Sequence, residues 1–188
     1  MTEASALVQS LIYTAQRAGA AIMAVYATDF AVRDKADASP VTAADEAAEK
    51  IILADLGKIS PGVPVVAEEA VAAGKVPVIA DRFFLVDPLD GTREFISHRD
   101  EFTVNIALIE AGRPVVGVVF APARHELYWG DVGARRAGRI DADPDGTMPS
   151  LGSLIEARLP PAEGLTAVAS RSHRTPETDT FLANYPVR

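Results

Sequence analysis

Apolar side chains recur at near-helical spacing over residues 4–26, at Leu7, Val8, Leu11, Ile12, Ile22 and Val25 with alanines filling the gaps, which predicts a long first helix. A second helix is predicted from about residue 42 to 58. Ser39-Pro40-Val41-Thr42 signals its start, with Thr42 as N-cap, Asp45 in the capping-box position and Gly57 near the end. Pro64-Val65-Val66-Ala67 and Phe83-Phe84-Leu85-Val86 are short apolar runs bounded by turn or acidic residues, and both read as buried strands. Residues 103–110 and 115–121 are β-rich and are separated by Ala111-Gly112-Arg113-Pro114, a hairpin signal; residues 125–129 add a further strand. The stretch 141–152, rich in Asp, Pro, Gly and Ser, reads as a surface loop. A strand is expected again at 165–169 and a short helix at 175–184. Helices in a block followed by a run of strands imply an α+β fold with a mostly antiparallel sheet, organised as one domain over residues 1–188.

Composition leaves that picture in place and narrows the chemistry. With 188 residues and 48% hydrophobic content the chain can bury a sizeable core. The absence of cysteine removes disulfides and thiolate zinc sites and fits a reducing compartment, so a cytoplasmic location is expected. Residues 1–11 have neither a basic n-region nor a long apolar h-region, and no apolar run is long enough to span a bilayer. A formal net charge of -8 without any basic stripe argues against a nucleic-acid partner. If such a chain takes an anionic phosphate, it needs cations at the site, and divalent metals are the obvious candidates.

The sharpest chemical feature is Asp87-Pro88-Leu89-Asp90-Gly91-Thr92, which directly follows the apolar strand at 83–86. Pro88 fixes its own φ and removes a donor while Asp90-Gly91 favours a sharp turn, so the two acids can converge on one point. A divalent ion there takes hard oxygen ligands, including a backbone carbonyl such as that of Leu89. Thr92 then opens a helix whose N–H groups can face an anion. Read alone, the segment is an ordinary Pro-Asp-Gly turn with a Thr cap, Glu68-Glu69 a solvated loop edge, Asp45 a helix-capping carboxylate and Lys35 an exposed lysine. Together, two neighbouring strand ends bearing carboxylates form an acidic cluster that repels itself, and bound cations are the economical explanation. His98, His125 and His173 lack metal-ligand spacing, and neither an H-E-x-x-H helix nor a Walker loop is present. The segment 141–147 opens like a calcium-binding EF-hand loop, but its twelfth position is Gly152 where a bidentate Glu is needed. Its D-x-D-G-T pattern, Asp143 to Thr147, is set aside as an aspartyl-phosphate site because Arg135-Arg136-Ala137-Gly138-Arg139 stands where a buried strand is required, and in 87–92 the equivalent nucleophile position is Pro88.

Ser39-Pro40-Val41-Thr42-Ala43-Ala44-Asp45, Val66-Ala67-Glu68-Glu69 and Leu85-Val86-Asp87-Pro88-Leu89-Asp90-Gly91-Thr92-Arg93-Glu94-Phe95 resemble, in order and spacing, the inositol monophosphatase superfamily. Glu101 to Ile109, Gly117 to Pro122 and Ser170-Arg171-Ser172-His173 extend the match toward its 3'(2'),5'-bisphosphate nucleotidases. The resemblance implies a layered α/β sandwich and a small phosphate monoester as the partner, with 3'-phosphoadenosine 5'-phosphate expected and inositol or sugar phosphates as alternatives. It implies that Mg2+ is held by Glu68, Asp87, the Leu89 carbonyl and Asp90, with Lys35 near a further metal position. Thr92, with Glu68 and through Asp45, would orient and activate the attacking water; Asp90 and the Leu89 carbonyl would also meet substrate, Gly91 and Thr92 would offer N–H groups to phosphate, and Ser172 and His173 would meet the nucleotide. It allows a homodimer and peripheral association with the inner face of a membrane, although no basic amphipathic helix supports the latter. The family's later Trp-Asp-x-Ala motif has no counterpart, since Trp129 is followed by Gly130. The expectation is therefore a chain truncated at its C-terminal lobe, exposing apolar surface, and an inactive metal- or nucleotide-binding fragment stands as the alternative to an enzyme.

Overall fold

The computed structural model describes residues 3–34, 40–143, 151–169 and 174–187. Helix α1 (Glu3–Tyr26) is followed by the antiparallel pair β1 (Val32–Asp34) and β2 (Pro40–Thr42), and then by α2 (Ala43–Ile59). β3 (Val65–Ala67) runs straight into α3 (Glu68–Ala72), and β4 (Arg82–Asp90) leads through one residue into α4 (Thr92–Ile96). β5 (Thr103–Glu110), β6 (Arg113–Ala121), β7 (Glu126–Asp131), β8 (Arg136–Asp141) and β9 (Ser153–Leu154) complete a seven-stranded sheet in the order β3-β4-β5-β6-β7-β8-β9. Among the described strands of this sheet only β3 and β4 pair in parallel; the other pairs in it are antiparallel. The fold is α+β, as the run of helices and strands implied. The chain divides into two compact units, Met1–Ile155 and Glu156–Arg188. The second holds α5 (Pro176–Leu182), whose N-cap Thr175 accepts a hydrogen bond from the Thr178 N–H. No helix among the described residues is long and apolar enough to cross a membrane.

The first unit is organised by strand alternation. Inward residues Phe84, Val104, Ile106, Val118, Phe120 and Leu127 are buried against Leu11, Ile12 and Ile22 of α1 and Ile52 and Leu56 of α2. Each such side chain stabilises the fold by about 1.5–3 kcal/mol through removal of apolar surface from water. The intervening positions point to the other face, where Leu85, Val119 and Tyr128 remain 49%, 43% and 38% exposed. An apolar cavity of about 580 Å³ lies on this face, over Leu85, Ala107 and Val119, and reaches Glu68 and Asp87.

Three sequence expectations need correction. The hairpin turn is only Ala111-Gly112, with φ of 47° and 73°, the paired positive values that a two-residue turn requires. Arg113 and Pro114 already belong to β6, and Pro114 sits opposite Ile109 at a register shift, where the ladder tolerates its missing N–H. The basic stretch before Asp141 is a strand, not a break: in β8 Gly138 and Ile140 are buried while Arg139 and Asp141 face solvent, an alternation disguised by the glycine beneath the Trp129 ring. That ground for setting aside the D-x-D-G-T pattern falls, and its residues 144–147 lie outside the described residues. The strand expected at 165–169 reduces to a single bridge between Leu165 and Val187. Val168 is 98% exposed, so no facing strand rewards extension there.

α1 approaches β6 closely at Gly19, where a Cβ would lie 2.4 Å from the Phe120 ring and 3.1 Å from Pro122. At the helix's far end Tyr26 and Phe30 pack on Phe95 of α4, with ring centroids 5.1 and 4.7 Å apart, and Phe102 closes the cluster at 5.2 Å from Phe95. The Tyr26 hydroxyl donates to Asp100 Oδ1 at 3.0 Å. Partial burial, and then the Asp100 carboxylate that accepts its hydrogen bond, push the phenol up to about 12.

Gly19→Ala is expected to lower the melting temperature. Alanine favours the helix by about 1 kcal/mol, but overpacking against a buried ring costs about 1–3 kcal/mol, and calorimetry reads the net loss. Ultraviolet titration should show one of the four tyrosines ionising near 12, with Tyr26→Phe removing that step. Since the folded value lies above the unfolded one, the stabilisation is complete below about pH 10 and lost as pH rises through the folded value.

Candidate active site

The parallel pairing of β3 with β4 puts Ala67 beside Val86, so the next residues along each strand, Glu68 and Asp87, emerge side by side. Glu68 opens α3, while Asp87 begins an irregular stretch of β4 whose register with β5 shifts between Asp87 and Asp90. Pro88 and Leu89, inside that irregularity, are buried. The bulge turns a two-faced strand so that Asp90 rejoins Asp87 on the same side. Gly91 then takes φ +94°, and a Cβ there would stand 2.8 Å from the Glu101 carbonyl oxygen. Only glycine fits this αL position between Asp90 and the first residue of α4.

Thr92 is that first residue; the N-cap is Gly91. The Thr92 hydroxyl lies 3.2 Å from Asp45 Oδ1 and 3.2 Å from the Leu89 carbonyl oxygen. Asp45, 1% exposed, completes the capping box at the start of α2: its Oδ2 accepts from both the N–H and the hydroxyl of Thr42 at 2.7 Å. Burial raises the Asp45 carboxyl, and its hydrogen bonds from Thr42 and Thr92 pull it part of the way back. The same carboxylate therefore caps a helix through Oδ2 and lies within hydrogen-bond reach of the Thr92 hydroxyl through Oδ1.

Asp87 is pushed far above the usual carboxylate range, first by burial and then by the negative Glu68 and Asp90 beside it; Glu68 is also its hydrogen-bond partner. Its Oδ1 is buried without any hydrogen-bond partner. A buried acceptor among carboxylates, next to a carbonyl oxygen, is the donor chemistry a hard divalent cation takes, and these residues fit one. Among the described residues no three Asp, Glu, His or Cys side chains already form a metal shell. The carboxylates are instead engaged with one another and with Asn105, whose Nδ2 lies 3.4 Å from Asp90 Oδ2.

The structure thus brings together Glu68, Asp87, Leu89, Asp90, Gly91, Thr92 and Asp45. Lys35, Ser172 and His173 lie outside the described residues. One contributor escaped the sequence reading. Glu49, one turn after Asp45 on α2 and 8% exposed, accepts from the N–H groups of Glu69 at 2.9 Å and Ala70 at 3.3 Å. α3 has no side-chain cap of its own at Ala67, and Glu49 supplies one from a neighbouring helix. The available signal was its i+4 spacing from Asp45, which places both acids on one helix face.

A chain with this sheet, two covering helices and an acidic site at paired strand ends belongs to the inositol monophosphatase family, whose sequence profile matches residues 4–187. It is 41% identical over 178 residues to the 3'(2'),5'-bisphosphate nucleotidase CysQ of Salmonella typhimurium, covering 94% of this chain and 68% of that protein. With the protein of the same description from Escherichia coli (strain K12) it shares 42% over 170 residues, 89% of this chain and 65% of the relative. The crystal structure of CysQ from Bacteroides thetaiotaomicron superposes with a TM-score of 0.73 at 34% identity, covering 100% of this chain and 72% of that one. The chain spans about two thirds of the length of the curated relatives it matches.

Glu49→Ala should strand two N–H groups at the start of α3 and release Glu68. The expected result is a loss of about 1–3 kcal/mol in denaturant unfolding, with weakened divalent-cation binding measured by calorimetry.

Proposed function

We propose that this chain carries the metal- and water-binding part of a magnesium-dependent phosphate-monoester hydrolase, with 3'-phosphoadenosine 5'-phosphate as substrate and AMP and phosphate as products. The observation that carries the reading is the Thr92 hydroxyl, 3.2 Å from Asp45 Oδ1, at the edge of the Glu68, Asp87 and Asp90 cluster. A hydroxyl that donates to a buried carboxylate keeps its lone pairs for another donor, and a water hydrogen-bonded to it presents its own lone pair outward. Glu68, on the other side, would accept the water's second proton, so that Thr92 and Glu68 together orient and activate the nucleophile.

Glu68, Asp87, the Leu89 carbonyl and Asp90 would hold Mg2+, whose chemistry when bound is to neutralise phosphate charge and make a bound water more acidic. Asp90 and the Leu89 carbonyl would also border the phosphate. The N–H groups of Gly91 and Thr92, at the N-cap and first position of α4, would donate to it. No covalent phosphoenzyme is needed, because every side chain invoked acts on water or on phosphate oxygens. The nucleotide substrate is supported by the CysQ relatives, which are 3'(2'),5'-bisphosphate nucleotidases by name.

Phosphate release from 3'-phosphoadenosine 5'-phosphate and from inositol 1-phosphate, with Mg2+ or with chelator, tests the proposal. Expected are Mg2+-dependent turnover favouring the nucleotide and a fall of about 10²-fold or more in kcat for Thr92→Ala. Cation binding without turnover on either substrate would leave a binding function and overturn the hydrolase reading for this chain. Faster release from inositol 1-phosphate would overturn the nucleotide assignment.

A further inference from the structure

Asn105 stands directly across the sheet from Asp87, and Thr103 directly across from Asp90, so one stretch of β5 faces both acids of the β4 irregularity. The Thr103 hydroxyl donates to Asn105 Oδ1 at 3.1 Å. That bond decides which way the amide points: with Oδ1 occupied by a donor on its own strand, the NH2 group is turned to Asp90 Oδ2, 3.4 Å away. Asn105 is half-buried and lines the apolar cavity beside Glu68 and Asp87, in a position where strand alternation places small or apolar residues such as Ala107 and Val119. An amide there gives up apolar packing and places an uncharged donor among carboxylates.

We infer that Asn105, oriented by Thr103, is a positioning residue for Asp90: it holds the exposed carboxylate in the one orientation that presents its other oxygen to the cation. The inference rests on the metal reading of the site given above. An amide suits the role better than lysine or arginine, because it restrains a carboxylate without cancelling the charge that the cation needs. Its two ends also link Asp90 to the regular part of β5 across the register shift between Asp87 and Asp90.

Binding of Mn2+ to the intact chain, followed by electron paramagnetic resonance, tests this without depending on turnover. Asn105→Ala is expected to raise the dissociation constant about 10- to 100-fold, and Thr103→Val to raise it less, with the melting temperature of both in chelator unchanged. Saturating metal should restore most of any lost kcat, so the defect appears in the metal requirement. Asn105→Ala and Thr103→Val binding Mn2+ as tightly as the wild type would overturn this inference alone. A wild-type chain that binds no Mn2+ would overturn the metal reading and this one with it. A fall in chelator melting temperature with unchanged Mn2+ affinity would assign Asn105 to strand packing instead.

Discussion

The site depends on one parallel register. β3 is three residues long and lies at the edge of the sheet, yet its pairing with β4 runs opposite in sense to every other pairing there. Parallel strands end at the same side of a sheet, so the residues that follow them meet; an antiparallel β3 would send Glu68 to the far edge. The meeting of Glu68 with Asp87 follows from that choice, because Asp87 and Asp90 are already fixed by β4 and its pairing with β5.

Bringing carboxylates together has an electrostatic cost that the rest of the local structure is arranged to bear. Asp45 is satisfied by Thr42 and Thr92, Glu49 by two backbone N–H groups of α3, and Asp90 is approached by the Asn105 amide. These donors are neutral, so they restrain the acids without discharging them. Asp87 is left with a buried oxygen lacking a partner, and its carboxyl is pushed up accordingly. In a chain with a net charge of -8, such an arrangement suits an external cation, and under the function proposed above that cation would offset the charge of a phosphate.

Rigidity around the site comes from both sides of the sheet's end. The Tyr26, Phe30, Phe95 and Phe102 cluster ties α4, and with it Thr92, to the end of α1. Glu49 ties α3, and with it Glu68, to α2. The two catalytic candidates are therefore anchored through different helices, both of which pack on the same sheet face.

Much of this was legible in the chain itself, because local chemistry decides it. The capping box of α2 needs only Thr42 and Asp45 three residues apart, and Gly91 follows from a turn that no Cβ can enter. The spacing of the apolar residues places α1, apolar and β-rich runs place β4 and β5, and the acidic pairs at 68–69 and 87–90 mark the candidate site. β8 was hidden because a glycine fills an inward position where periodicity expects bulk, and the supposed strand at 165–169 had β composition but no neighbour to pair with. Tertiary structure alone decided that Glu49 caps a different helix and that Asn105 reaches Asp90 across a bulge, and it realises across 47 residues the Asp45–Thr92 contact that the family resemblance implied. Those contacts join segments whose spacing along the chain carries no period, so only the packing of α2 and β5 against β4 could bring them together.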